Sequence, residues 1–444
     1  MSNKEKYGEV LTPPSFVKDM IKLLPRCVFT QKNFKWLDPG TGTGNIAEGI
    51  VQSLLDGLQI PKLERKDFIL ENMLHMIEIN LDHIKTLKTK FGENANIIND
   101  NFLTYDDPNQ YDIICGNPPF NFNGSHKVPT ASSEISKRND GETIWIEFTK
   151  KAISLLKPNG YLLFVLPSIW LKPDKAKMYH YLNQYTIHKI HTFSNTESNK
   201  IFGGEAQTPS CFFLLQKRPS SKEILLYDKD IKKYVPFYLA SPTVPIPVFG
   251  ASVINLVYQF TQKFGNLKVY KTNMPGKNVK LSLLKTSQHK YKNVNTCILN
   301  DLKPKLSYRY SDKPCAYRGK PKLIMAHGMY GFPYLDDTGK LGISNRDKYV
   351  ICDYNVRELR IIQQFLSTKF ALYLFESTRY RMKFLERYVF DLIPDIPKLP
   401  NLPNVLDDYT LADYFNLTQQ QRYAVRKLHR KEYVWKFLDI DKKK

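Results

Sequence analysis

Apolar and polar positions in the first 220 residues follow two alternating periods. Short apolar runs predict buried strands at Phe34–Leu37, closed by Asp38, and at Leu74–Glu78, Asn96–Asn99, Tyr111–Cys115, Tyr161–Leu166, Thr186–Phe193 and Ser210–Gln216. Between them, apolar residues three and four apart predict helices at 15–24, from about Ile46, from Leu81 and over 143–156. Thr12 is the expected N-cap of the first helix, with Pro13-Pro14 opening its first turn. Pro158-Asn159-Gly160 stops the last one. Strand–helix alternation predicts an α/β fold with a doubly wound, Rossmann-like sheet of seven strands. Ligands of such sheets bind at the carboxyl ends of the strands.

The pattern changes further along. Residues 121–142 (NFNGSHKVPTASSEISKRNDGE) have no apolar period, and a polar loop of that length inside a compact domain is usually functional. Residues 219–250 are rich in Pro and turn formers. The expected organisation is therefore a catalytic domain at 1–220, a boundary at 221–250, and a mixed α+β domain at 251–444. Within the last, 357–390 reads as mostly helical, and 409–438 carries helical spacing with a basic face.

Composition narrows the classes. The chain has 444 residues, 42% hydrophobic and 24% charged, enough to bury a sizeable core. Its formal charge of +22 is unevenly spread. Residues 1–220 hold 26 basic and 23 acidic side chains, whereas 221–444 hold 39 and 20, a net of +19. Such asymmetry points to a polyanion held by the second half. Six scattered cysteines without a Cys-x-x-Cys pair predict free thiols in a reducing compartment. The charged start MSNKEKYGEV has no apolar signal core, and the longest apolar run, Tyr161–Leu171, is too short to span a bilayer. The expectation is a soluble, cytoplasmic protein with no membrane partner, or a nuclear one if the source is viral or eukaryotic.

The sharpest local chemistry is Asn117-Pro118-Pro119-Phe120, directly after the strand YDIICG. An exocyclic adenine amine is a poor nucleophile because its lone pair is delocalised into the ring. An Asn side-chain oxygen and the carbonyl of Pro118 could accept both N–H bonds and steady the positive charge that builds during attack. Pro119 stiffens the turn, and Phe120 offers a face for a flipped base. The alternative is an ordinary turn. Upstream, Asp38-Pro39-Gly40-Thr41-Gly42-Thr43-Gly44 follows a short strand. It is neither the dinucleotide fingerprint nor a Walker loop, and a ligand with an amino acid end and a nucleoside end fits it better. Glu78 ends the second strand, where a carboxylate can accept ribose hydroxyls.

The ordered series YGEVLTPP (7–14), DPGTGTG (38–44), IEIN (77–80), NDNFL (99–103) and NPPF (117–120) resembles the motifs of gamma-class DNA adenine N6-methyltransferases of restriction–modification systems. The resemblance covers the first 220 residues with specific motifs and the rest only by size, charge and loose patterning. It implies S-adenosylmethionine as cofactor. Val10 and Thr12 would then lie along its methionine end, and Asp38, Gly40 and Gly42 would hold its amino acid part, with Pro39 and Gly44 completing the loop. Glu78 would take the ribose hydroxyls, while Ile79 and Phe102 would sandwich the adenine. Asn117 and Pro118 would hold the target N6, and Phe120 would stack on the target base. Phe202 occupies the position of a second stacking aromatic, with a core residue as the equal alternative. The family usually has Asp directly before Phe-Leu. Here Asn101 stands there and Asp100 one place earlier, so either would meet the cofactor adenine.

The resemblance implies site-specific methyl transfer to adenine N6 in double-stranded DNA by base flipping, in a monomer, beside a separate cognate restriction endonuclease. No metal is expected, because the sulfonium already carries a good leaving group and attack needs placement above all. An RNA adenine N6-methyltransferase is a second reading, and a protein-glutamine methyltransferase a third. With six residues before Tyr7 and no nuclease signature further on, no fused nuclease is expected; Asp395-Ile-Pro-Lys398 reads as linker. Arg309, Arg318 and Lys320 are candidates for base or phosphate contacts.

Overall fold

The computed structural model describes residues 6–122, 142–300, 303–328, 332–380 and 384–428. The chain forms two compact units. One holds the residues up to Tyr227 together with Tyr234–Pro242, and the other holds Asp228–Lys233 together with the residues from Thr243 onward.

The first unit is built on one sheet. Its strands are β1 (Trp36–Asp38), β2 (Leu74–Glu78), β3 (Asn96–Asn99), β4 (Tyr111–Gly116), β5 (Leu156–Pro167), β6 (Tyr185–Phe193), β7 (Ser210–Pro219), β8 (Glu223–Asp228) and β9 (Lys233–Tyr238). They lie in the order β9-β8-β6-β7-β5-β4-β1-β2-β3. From β3 to β5 every pairing is parallel, whereas β7 runs antiparallel to both β5 and β6. Strand order reverses between β1 and β4, the switch point at which open α/β sheets bind ligands. Residues Leu162–Leu166 of β5 are all buried, the signature of a strand covered on both faces.

Nine strands form where seven were expected. The added pair comes from the stretch read as a boundary. Residues 223–228 alternate exposed or half-buried with buried positions, a strand period obscured by the Pro-rich sequence on either side. β8 pairs parallel to β6 through Leu225 and Leu226. Pro236 sits in β9, the outermost strand, where a missing backbone N–H is tolerated.

Four helices matter to the site: α1 (Pro14–Ile21), α2 (Asn45–Gly57), α3 (Leu81–Phe91) and α4 (Trp145–Leu155). Phe16, Val17 and Met20 of α1 pack with Ile46, Ile50 and Leu54 of α2 over Trp36 in one apolar cluster. Thr12 does not cap α1. The N-cap position falls on Pro13, and the Thr12 hydroxyl is engaged elsewhere. Asn80 does cap α3, its side chain accepting from the Asp82 N–H at 3.1 Å.

The second unit is richer in strands than its sequence suggested. Two four-stranded sheets lie between Tyr270 and Ile351. In one, Lys322–Ala326 pairs with Tyr334–Asp336 and Lys348–Ile351; in the other, Tyr291–Asn300 and Lys303–Ser311 form an antiparallel ribbon. Lys322 is fully buried and its Nζ lies 2.6 Å from Asp336 Oδ2. The stretch read as mostly helical holds two short helices, Val356–Leu366 and Lys369–Ser377, separated where the Thr368 hydroxyl caps the second. The basic tail forms helices at Asp408–Tyr414 and Gln419–Arg426; residues 429–438 of that expectation lie outside the described residues. Asp395 is no linker residue: it is buried, accepting from the Tyr354 hydroxyl at 3.0 Å beside Lys398 at 2.8 Å. No disulfide joins any of the six cysteines. Among the described residues no helix is long and apolar enough to cross a membrane.

Candidate active site

A cavity of about 850 Å³ opens in the first unit beside the carboxyl ends of β1, β2 and β4. Its wall collects segments far apart in sequence: Tyr7–Thr12, Pro39–Thr43, Ile77–Ile79, Asp100–Thr104 and Asn117–Phe122. Pockets for cofactors and drug-sized ligands span roughly 300–1,000 Å³, so this one has room for an extended ligand.

The Gly-rich turn is held against β2. The Thr41 hydroxyl donates to the Asp38 carbonyl at 3.0 Å, and the Thr41 N–H donates to the Ile77 carbonyl at 3.2 Å. Gly44 starts α2 at φ +85°, where a Cβ would stand 2.8 Å from Leu87 and Phe91 of α3. This position requires glycine on both conformational and steric grounds. Gly44 and Asp38 lie behind the cavity wall, while Pro39, Gly40 and Gly42 face it.

Asp38 is completely buried, and the backbone N–H groups of Gly40 and Ala47 come near its carboxylate without reaching full hydrogen-bond geometry. Burial pushes its pKa up to about 8; the nearby Glu78 adds to the rise, and the backbone N–H groups of Gly40 and Ala47 offset part of it. A carboxyl in this state gains from a cation placed beside it. Glu78 is also buried, but it is fully oriented. Its Oε2 accepts from the Gly42 N–H at 2.7 Å and its Oε1 from the Asn80 N–H at 2.8 Å. A carboxylate has about four acceptor directions, so capacity remains for hydroxyls of a ligand. The residues therefore fit a ligand that carries an ammonium, a ribose and an adenine. Ile79, partly exposed, and Phe102 supply apolar wall for the ring; Phe102 packs on Phe148 with centroids 4.6 Å apart.

Asp100 and Asn101 both reach the cavity wall. Asp100 Oδ1 accepts from the Asn101 N–H at 2.6 Å, and Asn101 Oδ1 accepts from the Leu103 N–H at 3.0 Å. Each keeps acceptor capacity, so the two remain joint candidates.

Asn117 faces the same cavity from the end of β4. Its amide nitrogen donates to the Val10 carbonyl at 3.2 Å and to Thr12 Oγ1 at 3.0 Å. Pro118, Pro119 and Phe120 follow along the wall. The Phe120 carbonyl accepts from the Ile144 N–H at 3.2 Å, and Asn121–Phe122 pairs with Glu142–Thr143 as a short ribbon. The long polar loop therefore begins and ends at the motif; its interior, 123–141, lies outside the described residues. Phe202 keeps both of its readings open. It lines the cavity, yet it is 95% buried, with its ring edge-on to Phe16 at 5.2 Å.

Three wall residues had no role in the sequence reading. Gly8 has φ +69°, and a Cβ there would fall 1.8 Å from the Asn121 carbonyl oxygen, so only glycine lets the N-terminal segment lie on the motif. His83 of α3 stands between two carboxylates: Nε2 is 3.2 Å from Glu9 Oε1, and Nδ1 is 3.7 Å from Glu78 Oε1. The motif YGEVLTPP carried Gly8 and Glu9 in plain view, but nothing in it revealed their partners.

In the second unit, two of the candidate basic residues, Arg309 and Arg318, lie at the long ribbon. The Arg318 guanidinium lies over Tyr291 at 5.1 Å and donates to the Lys292 carbonyl at 3.3 Å; Lys292 Nζ stands 3.7 Å above Tyr308. Arg309 pairs with Asn293 across the ribbon. Among the described residues no group of three or more His, Cys, Asp and Glu is placed to hold a metal ion.

Residues 20–202 match the family model described as Eco57I restriction-modification methylase. A stretch of 132 residues is 29% identical to the tRNA1(Val) (adenine(37)-N6)-methyltransferase of Bacteroides thetaiotaomicron, over 30% of this chain and 51% of that protein. A stretch of 219 residues is 26% identical to Type II methyltransferase M.HincII of Haemophilus influenzae, over 48% of this chain and 38% of that protein. The chain thus spans 51% and 38% of these relatives' own lengths. The type I restriction-modification system methyltransferase subunit from Streptococcus thermophilus superposes with a TM-score of 0.35 at 19% identity, covering 52% of this chain and 51% of that one. By family model and relatives, the first unit is similar to methyltransferases of restriction-modification systems.

Proposed function

We propose that this chain transfers a methyl group from S-adenosylmethionine to the N6 amino group of adenine in double-stranded DNA. The observation that carries the reading is the setting of Asn117, whose amide N–H groups are occupied by Val10 and Thr12 in the cavity that Glu78 and the Gly-rich turn line. When bound, the cofactor supplies an electrophilic methyl on a sulfonium leaving group.

The chain's own residues bind and orient. Glu78 accepts the ribose hydroxyls, and Asp38 gives up its proton to balance the ammonium of the methionine end. Ile79 and Phe102 flank the adenine ring, and Asp100 or Asn101 accepts from its amine. Asn117 Oδ1 and the Pro118 carbonyl accept the two N–H bonds of the target amine, which localises its lone pair for in-line attack. Phe120 stacks on the flipped base. The amine proton released after transfer passes to water, so no side chain has to act as a strong base.

The net +19 of residues 221–444 supports a nucleic acid as substrate, and the restriction-modification relatives favour DNA. A cognate endonuclease is a natural companion of such an enzyme. A second reading, RNA adenine methylation, is favoured by the relative named for tRNA. Methyl transfer from labelled S-adenosylmethionine to duplex DNA, structured RNA and a protein extract, run side by side, separates them. N6-methyladenine at one repeated DNA sequence is the expected result. Label confined to RNA or protein would reassign the substrate, and no label on any of them would overturn the reading.

A further inference from the structure

Glu9, His83 and Glu78 form a line of three ionisable side chains at one end of the cavity. All are largely buried, with side-chain exposures of 17%, 10% and 8%. They come from three different elements: the N-terminal segment, α3 and the end of β2. The His83–Glu9 separation of 3.2 Å is a hydrogen-bond distance, whereas 3.7 Å to Glu78 is a close approach beyond a direct bond. The imidazole thus links two largely buried carboxylates carried by different elements.

We propose that His83 is a positioning residue that clasps Glu9 to the cavity and holds Glu78 in register for the ribose hydroxyls. Glu78 is fixed from two sides by the Gly42 and Asn80 N–H groups, and His83 closes the third. Glu9 is the neighbour of Val10, whose carbonyl binds Asn117, so the clasp also anchors the segment that covers the site. The inference rests on the reading of Glu78 as the ribose acceptor.

The test measures, on the full chain, the affinity for S-adenosylhomocysteine and for the same thioether lacking the 2′-hydroxyl. Wild type should prefer the hydroxylated ligand by about tenfold, the size of one hydrogen bond to a charged acceptor. His83→Gln should shrink that ratio to about twofold and raise the KM for the methyl donor about tenfold, with a smaller change in kcat. Glu9→Ala should shift the ratio in the same direction and carries the test if His83→Gln fails to fold. Glu9→Gln keeps an acceptor for His83 and should restore most of the discrimination. Variants that fold and keep the full wild-type ratio would make His83 a packing residue and overturn the proposal. Wild-type protein that binds neither ligand would overturn the cofactor reading itself, and this inference with it.

Discussion

The amide nitrogen of Asn117 donates to the backbone carbonyl of Val10 at 3.2 Å, across 107 positions of sequence. The two ends of an Asn amide are hard to tell apart by shape, so their assignment rests on partners. Here the partner decides it: a carbonyl can only accept, so the nitrogen must face Val10 and the oxygen must turn away from it. The second donor contact, to Thr12 Oγ1 at 3.0 Å, holds the same orientation. The N-terminal segment thereby sets which atom of Asn117 is offered to a substrate amine.

Thr12→Val keeps the shape and removes the hydroxyl acceptor. One amide N–H loses its partner, and kcat should fall about tenfold with a smaller change in cofactor KM. Asn117→Ala should abolish transfer while leaving cofactor binding largely intact. Steady-state kinetics with calorimetric cofactor titration checks both, and matching losses of affinity and turnover would contradict the assigned role.

Phe120→Ala should weaken catalysis more than duplex binding, because a stacking face acts after the base has left the helix. A gel-shift titration beside single-turnover kinetics reads the two effects separately. Equal loss in both would place Phe120 in duplex contact instead.

Asp38 makes stability pH-dependent. Its carboxyl holds a proton more tightly in the folded chain, with a pKa of about 8 against an ordinary 3.8. The contribution is therefore fully present below about 3.8 and is lost as pH rises through about 8. Thermal melts of wild type between pH 6 and 9 should fall with a steeper slope than those of Asp38→Asn, which copies the protonated form. Parallel curves would show that Asp38 does not titrate in this range. A ligand ammonium would favour ionised Asp38, so S-adenosylmethionine should raise the melting temperature more at pH 9 than at pH 6.

Gly44→Ala should destabilise the first unit by about 1–3 kcal/mol, because it combines a left-handed backbone with a clash against α3. Gly8→Ala should cost less stability and more activity, since it pushes the N-terminal segment off Asn121. Denaturant melts paired with activity assays distinguish the two; equal effects would contradict the different placements.

In the second unit, the buried Lys322–Asp336 pair gives a test free of catalysis. Burial lowers the Lys322 pKa, with Asp336 opposing the shift. Asp336→Leu leaves an uncompensated buried ammonium and should cost about 3–5 kcal/mol, while adding Lys322→Met should recover a large part of it. Denaturant unfolding of the single and double variants measures the difference; additive losses would show that the two side chains are not coupled.

Much of the first unit is legible in the amino-acid sequence. The seven expected strands, the Gly-rich turn after β1 and the Asn-Pro-Pro-Phe turn after β4 all carry local signals: a period, a breaker, a residue type that one conformation requires. The order of those turns was enough to suggest a shared site. β8 and β9 were hidden because a six-residue alternation cannot be told from linker when Pro-rich sequence flanks it. The eight strands described between Tyr270 and Ile351 were hidden for a related reason: six of them have two to five residues, too few positions to show a period, and the two longer ones carry mixed polar side chains.

The sequence by itself determined which residue types reach the carboxyl ends of the strands, because helix and strand periods are local properties of the chain. Only the tertiary structure decided how those residues act on one another. Thr12 looked like a helix cap and became an acceptor for Asn117; His83 and Gly8 stood out in no way, yet His83 joins Glu9 to Glu78 and Gly8 gives the clearance for Asn121. Thr12 and Asn117 stand 105 positions apart and Gly8 and Asn121 more than a hundred, whereas His83 meets Glu78 nearby in sequence and Glu9 far from it; the energies of all these contacts depend on burial and on angstrom-scale separation. Neither quantity exists until the chain has closed on itself.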